Sequence, residues 1–284
     1  MKVRLALAQM GISPLDVRTN MKKAEFLIKK ASSEGSDIIC LPELFLTGLV
    51  IENMSKYAQE IPGEYTDIFC KLAEENKIHI VMGSINEKVG DKYYNTSVLI
   101  NDSGGIVGKY RKIYLWNGEK RNTEAGAEVS LFDTKFGKVG LEICWDLTFS
   151  ELSKEIALKG AKMIFCSALW TKQDKYDIIC DKSAELREAL PEIDTETKLV
   201  DSCVQARAIE NGVVFAFACG CGSYQLMGQS RDLLGHSQIA IPFYGTIAML
   251  EDEEDLLVKE VDLSLVNLAE EVYEIRKDSE ERRG

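Results

Sequence analysis

The stretch Asp37-Ile38-Ile39-Cys40-Leu41-Pro42-Glu43 is an apolar run that stops at a proline and a glutamate. A short apolar run bounded by turn-forming residues indicates a buried strand. Residues 3–9 form an earlier run of the same kind. Between the two runs, five apolar residues share one face of a helix: Met21, Ala24, Leu27, Ile28 and Ala31. The order strand, helix, strand predicts a layered α/β protein.

The same alternation continues along the chain. Helices are predicted around residues 68–73, from about residue 148, and up to Asn211-Gly212, where the glycine is a plausible C-cap. Further strands are predicted at 78–85, 163–167, 213–218 and 256–261. Hairpins, each around a turn signal, are predicted at 94–116, 132–144 and 239–250. We therefore expect two sheets, or one large mixed sheet, covered by helices.

The length and composition of the chain limit the number of domains and the kinds of binding partner that we expect. The chain has 284 residues, of which 45% are hydrophobic, which is enough for one substantial core. We expect a single domain over residues 1–284, in which residues 265–284 form a charged C-terminal helix or tail. The formal net charge of -12 disfavours binding to nucleic acid or to membrane surfaces, because both are bound through clustered Lys and Arg.

The N-terminal apolar run stops at Gln9, too early for a signal peptide, and no stretch has the length of a membrane span. The eight cysteines lie mostly in apolar segments, which favours reduced thiols over disulfides. Cys219-Gly220-Cys221 lacks the second cysteine pair of a structural zinc site, so packed thiols are the favoured interpretation. We therefore expect a soluble cytoplasmic protein without a metal or cofactor.

Only two histidines are available as the base of a cysteine or serine hydrolase. His79 lies in an apolar strand and is interpreted as a packed core residue. His236 lies in a turn before a hairpin, where a structural hydrogen bond is the favoured interpretation. If a cysteine is the nucleophile of this chain, a carboxylate is therefore the expected base.

Cys144 lies between a predicted strand, residues 139–143, and residues 145–148, which are expected to open a helix. A thiol at such a junction gains thiolate character from the helix N-terminus, and free backbone N–H groups there can bind an oxyanion. A buried cysteine at a strand end fits the same local pattern equally well. The junction alone leaves both interpretations open.

Two charged residues lie beside apolar runs. Glu43 has apolar neighbours on both sides, a setting that suits a carboxylate to proton transfer, although a solvated loop glutamate is the alternative. Lys112 ends the predicted hairpin at 94–116, where it could supply a fixed positive charge. The basic pattern around Lys112, taken alone, favours a solvated face.

Three segments, residues 41–43, 109–115 and 142–146, resemble in order and spacing the signature blocks of the nitrilase superfamily of carbon-nitrogen hydrolases. Residues 205–211 look like the family's RAxEN helix end, and residues 235–245 look like its GHSxIxxPxG hairpin. The resemblance covers nearly the whole chain. It implies a four-layer α-β-β-α sandwich that pairs into a homodimer or a larger homo-oligomer.

By position, the resemblance implies that Cys144 is the nucleophile, Glu43 the general base and Lys112 the oxyanion partner. Similar amidases and carbamoylases carry a second glutamate after the lysine block, where Glu119 lies, and Glu124 is the reserve candidate. Two tryptophans complete the implied site. The backbone N–H of Trp145 is a candidate oxyanion donor, and Trp170 is a candidate substrate-binding residue.

The pair Trp145-Asp146 is similar to amidases and carbamoylases rather than to nitrilases. The implied reaction is hydrolysis of a non-peptide C–N bond in a small linear amide or N-carbamoyl compound, through a Cys144 thioester, with release of ammonia or an amine. Omega-amidase activity, acyl transfer and a catalytically silent binding or assembly protein are the alternatives. Four residues differ from those common in related amidases and predict unusual specificity: Leu49, Thr148, Ser150 and Cys219.

Overall fold

The computed structural model describes residues 1–50, 52–172, 195–226 and 229–282; Cys180 lies outside these residues. The strands are β1 (Lys2–Gln9), β2 (Ile38–Cys40), β3 (His79–Val81), β4 (Ile85–Val89), β5 (Lys92–Ile100), β6 (Ile106–Arg111), β7 (Leu131–Thr134), β8 (Gly137–Ile143), β9 (Met163–Ala168), β10 (Val214–Cys219), β11 (Cys221–Leu226), β12 (Gln229–Leu234), β13 (Gln238–Ile241), β14 (Gly245–Met249) and β15 (Asp255–Asp262). The helices are α1 (Val17–Ser33), α2 (Met54–Tyr57), α3 (Glu64–Asn76), α4 (Ser150–Leu158), α5 (Thr195–Asn211), α6 (Ser264–Tyr273) and α7 (Ile275–Glu281).

These strands form two mixed sheets rather than one. The first has the order β15-β1-β2-β3-β5-β4, with β6 paired to β5, and the second has the order β14-β13-β10-β9-β8-β7. Parallel strands lie inside each sheet, β1-β2-β3 in the first and β8-β9-β10 in the second. Antiparallel strands complete the edges, so the fold combines helix crossovers with hairpins.

The alternation of side chains along β2 shows how the layers arise. Ile38 and Cys40 pack into a core that also contains residues of the second sheet, such as Leu141 and Phe165. Ile39 points the other way, into a core shared with α1 and α3. Successive side chains of a strand face opposite sides, so a fully apolar strand must be covered on both. With α4 and α5 packed on the second sheet, the result is the predicted four-layer α-β-β-α sandwich.

The three predicted hairpins are confirmed as β5–β6, β7–β8 and β13–β14, and Gly212 follows α5 with a positive φ of 58°, as expected of a glycine C-cap. The interpretations of the histidines are also confirmed. His79 is buried against Phe136, and His236 Nδ1 lies 3.3 Å from Asp201 Oδ1. In the described parts of the chain, no helix has the length and apolar character needed to span a bilayer.

Two local predictions are wrong. The strand predicted at 78–85 is interrupted at Gly83, where φ is +47° and an added Cβ would lie 2.0 Å from the carbonyl oxygen of Pro42. The helix expected at Trp145 is a 3₁₀ turn, Cys144–Thr148, and α4 begins only at Ser150. The hairpin β11–β12 was not predicted at all, because its sequence is polar and lacks the strand pattern.

Candidate active site

A cavity of about 130 Å³ opens between the ends of the two sheets. Four of the predicted residues meet in its lining: Glu43, Lys112, Glu119 and Cys144. Its other walls are mainly aromatic and aliphatic: Leu44, Leu49, Trp116, Trp145, Leu169, Trp170 and Tyr224. Thr171 and Glu196 complete the described lining. The structure therefore brings together residues that lie up to 181 positions apart in the sequence, from Glu43 to Tyr224.

Cys144 lies at the turn between β8 and the 3₁₀ segment, with a φ of +49° and 8% of its surface exposed. A positive φ in a residue with a Cβ costs about 1–3 kcal/mol and needs support from its surroundings. Asp146 provides it, because its carboxylate accepts hydrogen bonds from the backbone N–H groups of Ile143 (2.9 Å) and Tyr114 (2.9 Å). The Tyr110 hydroxyl donates a third bond to Asp146 at 2.7 Å.

Glu43 lies three residues after the end of β2, and Leu41 and Pro42 connect it to the strand. Its Oε1 accepts hydrogen bonds from Lys112 Nζ at 2.7 Å and Asn95 Nδ2 at 2.8 Å, and its Oε2 accepts one from the backbone N–H of Leu169 at 2.8 Å. Because residue 83 is a glycine, the backbone at that position can lie close to the carbonyl oxygen of Pro42. The carboxylate is therefore buried and held from three directions.

Lys112 is 1% exposed, so the interpretation of a solvated basic face is wrong. Its Nζ donates to Glu43 and, at 2.6 Å, to Oε2 of Glu119. Burial lowers the pKa of Lys112, but the charges of Glu43 and Glu119 outweigh this effect and hold its pKa well above the usual value. The lysine is thus a fixed ammonium with one N–H left for a further acceptor.

Glu119 lies in the short 3₁₀ segment Glu119–Arg121 and is buried in the pocket. Beyond Lys112, its carboxylate accepts hydrogen bonds from Asn95 Nδ2 at 2.7 Å and from the backbone N–H of Trp116 at 2.9 Å. The reserve candidate, Glu124, is exposed and does not contribute to the described pocket lining.

Asn95 is a residue of this cluster that sequence reasoning missed. It lies on β5 and its side-chain amide donates to both Glu43 and Glu119, which joins the two carboxylates. Its backbone carbonyl also accepts a hydrogen bond from the N–H of Lys112 at 2.9 Å. The available signal was a lone asparagine between two tyrosines and a threonine, residue types that favour strands more than asparagine does.

Burial raises the pKa of the Cys144 thiol well above its usual value; the negative charge of Glu43 adds to this effect and Lys112 opposes it. The Cys144 side chain is therefore a neutral thiol at neutral pH. This corrects the expectation that the junction itself would favour a thiolate, which assumed an α-helix N-terminus at Trp145. A thiol of this kind needs a base to take its proton if the sulfur is to react. Glu43 is the carboxylate that acts most strongly on the pKa of the Cys144 thiol.

The two predicted tryptophans both line the cavity. The Trp145 and Trp170 ring centroids are 5.6 Å apart, and Trp170 Nε1 donates a 2.7 Å hydrogen bond to Glu196 Oε2. The backbone N–H of Trp145 lies in the first turn of the 3₁₀ segment, where an N–H has no partner within its own helix. Thr148 and Ser150 are not in the described lining, so of the four unusual residues Leu49 is the one that faces the pocket.

The chain is similar to known proteins along nearly its whole length. Residues 4–271 match the family model of the carbon-nitrogen hydrolases. A nitrilase of Pyrococcus abyssi is 35% identical over 272 residues, which cover 93% of this chain and 91% of the relative. An omega-amidase of Xenopus laevis is 30% identical over 285 residues, which cover 97% and 94%. The structure of a carbon-nitrogen hydrolase from Helicobacter pylori, 20% identical, shares the fold with a TM-score of 0.84, covering 98% of this chain and 94% of that one.

Proposed function

The chain belongs to the carbon-nitrogen hydrolase family of the nitrilase superfamily, and from this premise we propose that Cys144 cleaves the C–N bond of a small linear amide or N-carbamoyl compound. One observation carries the proposal. One cavity is lined by a thiol, a carboxylate and a fixed cation, from Cys144, Glu43 and Lys112. The Lys112 Nζ lies 2.7 Å from Glu43 Oε1. This set can transfer a proton, attack a carbonyl and stabilise the resulting oxyanion.

In the first half-reaction, the thiol proton of Cys144 moves to Glu43 while the sulfur attacks the amide carbon, and the carbonyl π electrons move onto the oxygen. Lys112 has one N–H left for this oxyanion, and the N–H of Trp145 is the second donor. A donor of this kind contributes about 3–4 kcal/mol to the transition state. The oxyanion then reforms the carbonyl, the C–N bond breaks, and Glu43 gives its proton to the departing nitrogen.

In the second half-reaction, a water attacks the Cys144 thioester while Glu43 takes a proton from that water. The C–S bond breaks, the acid is released, and the proton returns from Glu43 to the sulfur. Glu119 and Asn95 hold Lys112 and Glu43 in place through both steps. The sum is hydrolysis of one amide by one water, with the enzyme restored.

The substrate is proposed at the level of its class. Relatives of this chain are named omega-amidase and nitrilase, and the first of these names supports an amide as the substrate. A second candidate, omega-amidase action on a dicarboxylic monoamide, is supported by the name of a relative. It would need a cation for the free carboxylate, and in the described lining the one cation, Lys112, is already shared by Glu43 and Glu119. Acyl transfer would use the same thioester with an amine in place of water. A catalytically silent binding protein is disfavoured, because charged groups in a buried cleft cost free energy that binding alone does not require.

The experiment measures ammonia release from a panel of linear amides and N-carbamoyl amines, together with the intact mass of the protein. Wild type is expected to release ammonia and to gain the mass of one acyl group with a slow substrate. The Cys144→Ala variant should do neither, and Glu43→Gln should remain folded but fail to acylate. Cys70→Ala, which removes a half-buried thiol outside the pocket, is the matched control and should behave as wild type. Normal acylation of Glu43→Gln would remove Glu43 from the role of base.

We also propose that the protein works in the cytoplasm as a homodimer or larger homo-oligomer. The described cysteines are all free thiols, which suits a reducing compartment. Exposed apolar side chains on α5 and α6 support pairing through these helices: Ile209, Leu268, Val272 and Tyr273. Light scattering should give at least twice the chain mass, and a clean monomer would contradict the assembly.

A further inference from the structure

We propose that the pocket selects amides whose far end carries a positive charge, an ammonium or a guanidinium, and that Glu196 recognises this charge. The inference rests on the proposed function, because the far end is defined by placing the reacting carbonyl at Cys144. It names a substrate class and a specificity-determining residue for that chemistry. The argument uses the charges, the fixed geometry of Glu196 and the aromatic walls.

The described lining of the pocket contains more negative charges than positive ones. Glu43 and Glu119 share the single ammonium of Lys112, so with a neutral thiol the floor of the pocket carries a net charge of -1. Glu196 adds a second negative charge to the same cavity. In a site partly shielded from water, these charges attract a cation and repel an anion more strongly than they would in bulk solvent. A substrate ending in a carboxylate is therefore disfavoured and one ending in a cation is favoured.

Glu196 is the second residue of α5, and its carboxylate is fixed rather than free to turn into solvent. The hydrogen bond from Trp170 Nε1, a side chain that is itself 5% exposed, holds Oε2 at the cavity wall. A carboxylate offers about four acceptor positions, so this bond leaves capacity for a substrate N–H. Among the ion pairs of the described residues, none joins Glu196 to a lysine or arginine.

The apolar walls of the same cavity fit a chain that is apolar in its middle and cationic at its end. Leu44, Leu49 and Leu169 offer aliphatic contacts suited to methylene groups. The indoles of Trp145 and Trp170 lie beside each other, with their planes 43° apart, and both line the cavity. The face of a tryptophan ring is the strongest of the aromatic side chains in attracting a cation. Two independent features thus favour a positive charge near Glu196.

The test compares three amides of matched length: 6-aminohexanamide, hexanamide and the monoamide of adipic acid, with shorter and longer amino amides to find the best spacing. We expect kcat/KM to be at least tenfold higher for the best amino amide than for its neutral analogue, and lowest for the monoamide. Glu196→Gln keeps an acceptor for Trp170 and removes the charge. It should lower the amino-to-neutral ratio about tenfold, which corresponds to about 1.4 kcal/mol.

Glu196→Lys should shift the preference toward the monoamide. Glu271→Gln, which removes an exposed carboxylate from α6, is the matched control and should keep the wild-type ratio. Equal or reversed preference in wild type, or an unchanged ratio in Glu196→Gln, would overturn the inference while the Cys144 chemistry stands.

If no amide is hydrolysed, the proposed function fails, and recognition is then tested separately by calorimetric titration of the Cys144→Ala protein with the same three amides. Tighter binding of the amino amide, lost when Glu196→Gln is added, would support the inference, and equal binding of all three would overturn it.

Discussion

Strand β6 and the residue that follows it take part in two ion clusters of opposite composition. Lys109 and Arg111 both bind Glu87, which lies on β4 and is almost fully buried, so this cluster has two cations for one carboxylate. Lys112, the next residue, binds Glu43 and Glu119, so its cluster has two carboxylates for one cation. The first cluster does not line the described pocket, and the second forms its floor.

The two clusters also differ in the hydrogen-bonding groups that they leave for a substrate. Both oxygens of Glu87 are occupied: Oε1 accepts from Lys109 and Arg111, and Oε2 accepts from Arg111 and from the Thr96 hydroxyl. Burial raises the pKa of Glu87, but the hydrogen bonds from Arg111, Lys109 and Thr96 outweigh it and leave the pKa below its usual value. The Lys112 cluster instead keeps one N–H for a substrate oxygen and lies beside Cys144. We therefore assign a structural role to the cluster of Glu87, Lys109 and Arg111, the structural cluster. We assign the proposed chemistry to the cluster of Lys112, Glu43 and Glu119, the reactive cluster.

The largest effect is expected from removing the cation of the reactive cluster with Lys112→Met. Two buried carboxylates would lose their shared partner, which costs about 3–5 kcal/mol of unfolding free energy. Loss of one oxyanion donor should lower kcat by about 10²–10³-fold even in the fraction that folds. Urea unfolding and ammonia release measure the two effects. The control is Lys120→Met, an exposed lysine on the adjacent turn, which should change neither. If Lys112→Met had the unfolding free energy of wild type, the burial of Glu43 and Glu119 would not depend on the charge of Lys112.

A further buried carboxylate, Glu142, sharpens the comparison because no cation of the described residues lies within hydrogen-bond distance of it. Its Oε1 accepts a 2.6 Å hydrogen bond from the Ser153 hydroxyl, and its Oε2 has no hydrogen-bond partner among the described residues. Burial raises the pKa of Glu142 to about 8, although the Ser153 bond opposes this effect. The folded protein therefore holds a proton here that the unfolded chain releases above its ordinary pKa.

Stability should consequently fall as the pH rises toward 8, by about 1.4 kcal/mol per pH unit. Asp146, whose pKa burial raises to about 6, and His79, whose pKa burial lowers, also contribute between pH 6 and 8, so the effect of Glu142 is the difference between wild type and a Glu142 variant. Glu142→Gln keeps the acceptor for Ser153 and should remove the part of the slope that comes from Glu142, which urea unfolding at pH 6, 7 and 8 can measure. Glu155→Gln, on the exposed side of α4, is the control and should retain it. An equal slope in Glu142→Gln would mean that other groups produce it.

The sequence predicts the layers of this fold better than it predicts the junctions between elements. Apolar runs such as residues 37–41 define strands because burial on both faces leaves a clear pattern. Gly83 breaks a predicted strand for a reason that involves Pro42, a contact between distant residues that no local pattern contains. The polar hairpin β11–β12 was missed for a similar reason, since one of its contacts lies far away in the sequence: the N–H of Leu49 donates a 2.8 Å hydrogen bond to the hydroxyl oxygen of Tyr224.

For the site, the family resemblance supplied Glu43, Lys112, Glu119 and Cys144, and the structure places all four in one cavity. Local reasoning left Cys144 undecided and favoured a surface position for Lys112, because a basic run on an exposed strand looks the same as one that ends in a buried lysine. Asn95, Asp146 and Glu196 were missed as site residues, since each acts through contacts with residues far away in the sequence. Their roles in the reaction remain predictions for the experiments above.

The smallest effect is expected in the structural cluster, from Lys109→Met. Arg111 would remain bonded to both oxygens of Glu87, so the carboxylate would keep a partner, and the side chain of Lys109 is 34% exposed. The loss of unfolding free energy should therefore be at most about 1 kcal/mol, with kcat/KM unchanged. The difference from wild type should shrink further in 1 M salt, because exposed charges are screened over about 3 Å there. The exposed pair of Lys138 and Asp133 offers a control in Lys138→Met, for which the same small, salt-sensitive change is expected. The prediction would be contradicted if Lys109→Met lost 3 kcal/mol or more of unfolding free energy and the loss did not depend on salt. Glu87 would then need both of its cations, as Glu43 and Glu119 are expected to need Lys112.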